Sequence, residues 1–456
     1  MRAESPQVVA VRYDDGVVSL RGGVDQRLRI GAERMLHGLL ERPSQRSMDL
    51  LCIAAGVYAI DRTHKRPRDP HNECGIRTLR VAFEVFDPAF WKHEDAANAL
   101  TELLCFLTGD TWLVSFCGRA GPHRSSSVQR PFEFEGVRPT RVSLYSGGLD
   151  SAAGFANRLI DGDHTHLLLT VAHQSAIRQT CVSQLATLKG LLQAVPGFYH
   201  ASFHARFDKG VAGMMKEQEQ SQRARAFLFC CGAGIVADAL DLAVVELFEN
   251  GVGAINVPLT EGGLVDGLTT RGAHPGFLHK VSRFLSSIFG KPLSFQLPFL
   301  NHTKAEMVRG LIALPRMITW AQGSRSCVHT SLRVSGKRHC GVCPACIERR
   351  QAFRAAAALE DVRDYACDVF DDYAPSDPSY MLSYLEQARR WLADDLRIKT
   401  RWERHRVLSC IQHLPREQAE DLYTRHAKEV ERVFGRLVVG PPIRAPRFAA
   451  HQLDLV

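Results

Sequence analysis

Residues 141–159 read RVSLYSGGLDSAAGFANRL. The β-branched and leucine-bearing run at 141–145 predicts a strand, and the alanine-rich stretch after Leu149 predicts a helix. Between them lies Ser146-Gly147-Gly148-Leu149-Asp150-Ser151. Two glycines let backbone N–H groups turn inward onto an anion. The helix that follows aims its positive end at the same point. Ser146 and Ser151 add hydroxyl donors. Asp150 would repel a naked phosphate but makes sense if Mg²⁺ sits between them. A Gly-Gly turn whose Ser and Asp merely cap a helix is the plainer alternative. No G-x-x-x-x-G-K-[ST] run occurs in the chain, which argues against an ordinary kinase.

Outward from the loop, strand-like runs at 167–171, 252–257 and 293–298 alternate with helical patterns. That alternation predicts an α/β domain with a parallel sheet. The preceding residues read as a small α+β unit. It has a hairpin at 8–20 turning at Asp14-Asp15-Gly16, and a strand at 79–86 ended by Asp87 and Pro88. A helix at 96–107, with Asp95 as cap and Gly109 as stop, and a strand at 112–116 complete it. The polar run HRSSSVQR at 123–130 reads as a linker. The stretch 361–377 is acid-rich, 380–434 carries two or three amphipathic helices, and the end from Gly440-Pro441-Pro442 reads as an extended tail. The expected organisation is an N-terminal α+β extension (1–135), a loop-bearing α/β domain (136–360) and a C-terminal helical extension with tail (361–456).

The chain has 456 residues, 45% hydrophobic and 23% charged, with 57 Lys+Arg against 49 Asp+Glu. This is ordinary globular composition, which excludes disordered, collagenous and disulfide-knot classes. The net charge of +8 permits an anionic partner without demanding one. The most apolar stretch, 227–248, contains Asp238, Asp241 and Glu246 and so reads as a buried helix, with no membrane span. The start, MRAESPQVVAVRYDDG, shows no secretory h-region. Together with 13 cysteines, an odd count, this points to a reducing, cytoplasmic setting.

Four of those cysteines lie in CVHTSLRVSGKRHCGVCPACIERR, residues 327–350, in the pattern C-x12-C-x2-C-x2-C. Cys327, Cys340, Cys343 and Cys346 present four thiolates with no open position, which is the donor set of structural Zn²⁺. Gly341 and Pro344 suit the turns. Lys337, Arg338, Arg349 and Arg350 would offset the negative charge of such a centre. An iron–sulfur cluster uses the same ligands, and His329 and His339 lie within the loop as substitutes.

SGGLDS resembles the PP-loop of N-type ATP pyrophosphatases. The loop followed by a knuckle ending C-G-V-C-P-A-C-I-E-R-R resembles 7-cyano-7-deazaguanine synthase, the QueC family. SQRARAFL at 221–228 and PFLNHTKAEMV at 298–308 fit two further segments of that family, placing Arg225, Lys304 and Glu306. The likeness covers 141–354. QueC enzymes are shorter and lack both flanks, and Glu249-Asn250-Gly251 stands where they carry more acidic residues. The long layout looks most like the QueC-like component of Qat-type anti-phage defence systems, which sits beside an ATPase and a TatD-type nuclease.

The resemblance implies a Rossmann-like (HUP/PP-loop) sheet and adenylation of a 7-deazaguanine carboxylate by ATP with Mg²⁺, followed by amide or nitrile formation with an amine. In a defence relative, that amine could belong to a protein. It assigns Ser146, Gly147, Gly148, Leu149, Asp150 and Ser151 to ATP, with Asp150, Lys304 and Arg225 as catalytic groups. Each has a plainer alternative: a capped helix start for Lys304, a surface salt bridge for Arg225. Arg223 competes with Arg225, and His173 is either a purine contact or a solvated strand end. The cationic run RIKTRWERHR at 397–406 is either a solvated helix face or a nucleic-acid patch. Two rival functions stay open. A PP-loop tRNA thiolase would need a reactive thiol among Cys181, Cys230 and Cys231. A non-catalytic nucleotide-binding scaffold would have no need of Asp150.

Overall fold

The computed structural model describes residues 8–22, 26–39, 44–67, 75–119, 134, 136–162, 164–192, 197–207, 218–219, 221–257, 259, 270–329, 336–370, 379–393 and 414–437. The linker at 123–130, the cationic run at 397–406 and the tail from Gly440 lie outside these residues.

The hairpin forms as its turn chemistry predicts. β1 (Val9–Asp14) pairs antiparallel with β2 (Val17–Arg21), and both turn residues, Asp15 and Gly16, have positive φ. The remaining strands are β3 (Gln26–Ile30), β4 (Thr78–Val85), β5 (Thr111–Gly118), β6 (Arg141–Leu144), β7 (His166–Ala172), β8 (Phe198–Phe207), β9 (Val244–Leu247) and β10 (Ser294–Gln296). They make one ten-stranded sheet in the order β10-β9-β6-β7-β8-β3-β2-β1-β4-β5. The block β10-β9-β6-β7-β8 is parallel throughout. An antiparallel pairing of β3 with β8, Leu28 opposite Phe207, joins the N-terminal strands to it. The result is a mixed α/β molecule with a large, mainly parallel sheet.

Helices cover both faces. On one lie α2 (Gln45–Thr63), α4 (Glu94–Thr108), α7 (Arg225–Ala239) and α9 (Pro275–Phe289), sharing one apolar core with the sheet. On the other lie α5 (Leu149–Asp161), α6 (Ser175–Leu192), α10 (Lys304–Arg309), α11 (Pro315–Gln322) and α12 (Pro344–Ala355). Short helices α1 (Ala32–Leu39), α3 (Pro88–Lys92) and α8 (Gly251–Ile255) fill turns. At the C-terminal side α13 (Ser379–Leu392) and α14 (Arg416–Phe434) pack on each other and on Ile347 of α12. No helix among the described residues is long and apolar enough to cross a membrane.

Three local expectations are corrected. The stretch 227–248 is not one helix. α7 ends near Ala239, Asp241 turns the chain at φ 56°, and β9 follows. A central strand buried on both faces lacks polar alternation, so its apolar run merges with the helix before it. Residues 252–257 are not a strand, because the Asn250 side chain accepts the Gly253 N–H at 3.0 Å and caps α8. Asp95 is not the cap of α4. His93 holds that place and Asp95 lies in the first turn, where its charge suits the helix dipole.

A buried ionic set ties the N-terminal layer to α7. Asp110 pairs with Arg66 and Arg77, each at 2.6 Å, while Asp61 of α2 accepts the Ala224 N–H at 2.9 Å. Under the central strands, His166 of β7 is fully buried, its Nδ1 2.9 Å from Ser143 Oγ, and its pKa is pushed down to about 3 by burial and by Arg158. Such an imidazole binds fewer protons folded than unfolded, so stability present above the unfolded pKa of about 6.5 is lost as pH falls towards 3. Urea unfolding of His166→Asn should therefore depend less on pH than wild type between those limits, by up to about 1.4 kcal/mol per pH unit. An unchanged slope would show that the buried imidazole does not titrate as described.

Candidate active site at the ends of strands β6 and β9

In the parallel block, β6 lies between β7, reached through α5, and β9, reached through α7. The chain thus leaves β6 to one side and later returns on the other, and ligands in open α/β sheets bind outside the strand ends at such a point. The Ser146–Ser151 loop occupies it. Gly147 has φ +74°, and a Cβ there would meet Cys181 Sγ at 3.0 Å, so the turn requires glycine. The Ser146 and Ser151 hydroxyls lie 3.1 Å apart, and no N-cap side chain closes the start of α5. The segment after α11 braces the loop from behind. Arg325 N–H donates to Gly147 O at 3.0 Å, and Leu149 N–H to Ser326 Oγ at 3.3 Å.

At the loop's mouth the Lys304 ammonium sits 3.1 Å from Asp150 Oδ2 and 2.8 Å from Glu348 Oε2. Lys304 does follow a helix cap, and it is not a surface lysine. Thr303 and Glu306 form a capping box that starts α10, and the lysine after the cap turns inward. Glu306 serves the cap and an ion pair with Arg425, remote from the loop. Burial alone would strip the proton from Lys304, but Asp150, Glu348 and Glu249 together raise its pKa above the ordinary lysine value. Glu348 is opposed by burial yet held ionised by Lys304 and by the Tyr384 hydroxyl, which donates to it. Glu249, by contrast, has its pKa raised well above the ordinary carboxylate value by burial and by the Asp150 charge. Asn250 Nδ2 bridges the two, 3.3 Å from Asp150 Oδ1 and 3.4 Å from Glu249 Oε1. His426 of α14 stands behind, kept neutral by burial with its pKa down at about 4.

The four sulfurs of Cys327, Cys340, Cys343 and Cys346 lie within 4.8 Å of one another. Cys340 and Cys346 are 3.8 Å apart, close to the edge of a tetrahedron with metal–sulfur arms of about 2.3 Å. The set fits one tetrahedral ion such as zinc better than a larger iron–sulfur cube. Gly341, at φ +88° with its Cβ position against the Cys367 carbonyl, must be glycine for the knuckle to close. Cys343 precedes Pro344 at the first position of α12. Neither histidine joins the sulfurs. His339 stacks on Tyr365 with centroids 4.8 Å apart, and His329 donates its backbone N–H to Cys327 Sγ. The four nearby cations also have partners of their own: Arg349 pairs with Glu360 at 2.7 Å, Arg350 with Asp368 at 2.7 Å and Arg338 with Asp364 at 3.6 Å, while Lys337 donates to the Arg363 carbonyl. Arg349 also donates to Ser324 and Ser326, so the knuckle grips the segment that braces the loop.

The structure does not bring Arg225 to Lys304. Its guanidinium contacts Gln222 Oε1 at 3.4 Å and lies over Phe229 at 5.8 Å, and it makes no salt bridge among the described residues. Arg223 is spent on the Thr108 carbonyl. His173 is half-buried rather than solvated. Cys181, Cys230 and Cys231 are fully buried, and burial raises every one of these thiols, Cys181 to about 11, so none offers the thiolate that a thiolase needs. The residues that sequence reasoning missed are Tyr384, His426, Ser326 and the pairing role of Glu348. Glu348 stood inside the C-x-E-R-R ending and could have been found there, whereas Tyr384 and His426 carry no local signal.

Residues 272–357 match the family model of queuosine biosynthesis protein QueC. The matched stretch holds Lys304, the four cysteines and Glu348, and it supports a QueC-like family. No curated protein matches the chain. Elemental analysis of the purified chain should find about one zinc per chain and no acid-labile sulfide, and Cys346→Ser should lose the metal. Iron with sulfide would overturn the single-ion assignment.

Proposed function

We propose that the chain activates a carboxylate, of the 7-deazaguanine class, by adenylation with ATP. The observation that carries this is the Lys304–Asp150 pair at the mouth of the Ser146–Ser151 loop at the sheet's switch point. Ser146, Gly147, Gly148, Leu149 and Ser151 would receive the departing pyrophosphate, the Gly148 and Leu149 N–H groups exchanging their present acceptors, Ser146 Oγ and Ser326 Oγ, for its oxygens. An ammonium has three donors, and Lys304 commits two to Asp150 and Glu348. The third is left for an oxygen of the α-phosphate or of the incoming carboxylate. The acid's oxygen bonds the α-phosphorus as the bond to pyrophosphate breaks. An amine then displaces AMP and loses a proton, leaving the amide; dehydration to the nitrile consumes a second ATP.

The donor set also suits Mg²⁺. Asp150 and Glu249 lie together, and a divalent cation would relieve the repulsion between their carboxyl groups. When bound, the ion supplies positive charge for the leaving pyrophosphate. Asn250 holds both carboxyl groups in register for it. The amine acceptor, a protein amine in a Qat-type defence setting with its ATPase and TatD-type nuclease, rests on the resemblance in chain layout. So does the HUP/PP-loop identity of the sheet, while the division at 135 and 360 rests on the change in sequence pattern at those points.

The test is purified chain with ATP, Mg²⁺ and 7-carboxy-7-deazaguanine, with and without ammonium, reading nucleotides and small-molecule mass. AMP and pyrophosphate should form only with the acid. Lys304→Ala and Asp150→Ala should each lower the rate by about 10²-fold or more. Absence of acid-dependent AMP from the wild-type chain would overturn the proposal, as would Asp150→Ala with full activity.

A further inference from the structure

Away from Lys304, a second group of cations stands at the same rim of the sheet. His173 follows the last residue of β7, and Arg225 opens α7. The Asp61–Ala224 hydrogen bond clamps the end of α2 to the start of α7 and so sets Arg62 beside Arg225. The Arg225 guanidinium and the His173 ring share Phe229, at 5.8 and 6.4 Å. Among the described residues neither arginine pairs with a carboxylate. Arg62 reaches only Gln218 Oε1, at 2.6 Å, and the Glu219 carbonyl. The nearby acids are committed, Asp61 to Arg77 and the Ala224 N–H, Glu219 to the N–H groups of Arg66 and Ser221. Arg62 Nε and His173 Nδ1 are buried without a partner.

Two guanidinium groups in a half-buried setting with no counter-charge among the described residues repel each other and cost stability. Burial and Arg62 lower the pKa of Arg225, and burial with both arginines pushes His173 down to about 3, so the imidazole is a neutral donor. An arrangement with unspent donors of one sign is complementary to an oxyanion.

We infer that Arg62, Arg225 and His173 form an oxyanion subsite, taking the carboxylate of the acid or a phosphate of the nucleotide, with Arg62 supplied by the N-terminal region. The inference rests on the proposed adenylation for its ligand. Arg62→Gln and Arg225→Gln are titrated calorimetrically with 7-carboxy-7-deazaguanine and, separately, with α,β-methylene-ATP plus Mg²⁺. One of the two ligands should bind about tenfold or more weakly, with Arg→Lys keeping part of the affinity. Loss on the acid arm assigns the carboxylate, and loss on the nucleotide arm assigns the phosphate. Ligand-free Arg225→Gln should unfold at or above the wild-type temperature, because one of two repelling charges is gone. Unchanged binding of both ligands, or a fall of several degrees in Arg225→Gln, overturns the subsite. If wild type binds nucleotide but not the acid, the deazaguanine substrate falls while the nucleotide arm still decides the subsite. If it binds neither, both fall.

Discussion

One ammonium group holds three parts of this molecule together. Lys304 comes from the helix after β10, Asp150 from the loop after β6 and Glu348 from the helix behind the cysteines. All three are partly withdrawn from water, Glu348 least, so each is better kept with its partners than alone. The triad therefore couples the placement of the loop, α10 and α12. Tyr384 and His426 extend this constraint to the C-terminal helices. The hydroxyl satisfies the free Glu348 oxygen, and the neutral ring closes the cluster without adding charge.

The cysteine centre is tied to both sides of the site. Cys327 follows Ser326, which accepts the Leu149 N–H, and Cys343 stands at the N-cap of α12. From that start Glu348 points to Lys304, while the next residue, Arg349, turns to the opposite support. Arg349 is fully buried against Glu360, Ser324 and Ser326, and Ser326 accepts the Leu149 N–H. Two adjacent side chains thus carry one helix start to both walls of the site.

What could be read from the sequence follows from how local each signal is. The loop and the cysteines are each contiguous in sequence, so the glycine turn and the sulfur cluster could be located to the residue. The hairpin, β4 and β5 were legible because alternation and turn residues agree. β9 was not, since its apolar run continues that of α7 and only Asp241, taking a positive φ, separates them. α2 was missed because it is buried almost throughout its length, and a helix that is apolar all round shows no periodic face. Nothing local marks Tyr384, His426 or Arg62 either. Their roles arise from long-range packing, which a single sequence does not display.

The N-terminal strands follow from a constraint that has nothing to do with catalysis. Without them β8 would be an exposed, ten-residue edge, an invitation to pair with another chain. β3 covers the C-terminal end of that edge antiparallel, at residues 205–207. Continuing the sheet then forces a helix onto its new face, and α2 lands against α7 through Asp61. Arg62, one residue on, arrives at the rim where β7 ends. The added layer could have met that rim with an acid and neutralised Arg225. It presents a second cation instead, and a fold that only needed to protect an edge would have no reason to accept that repulsion.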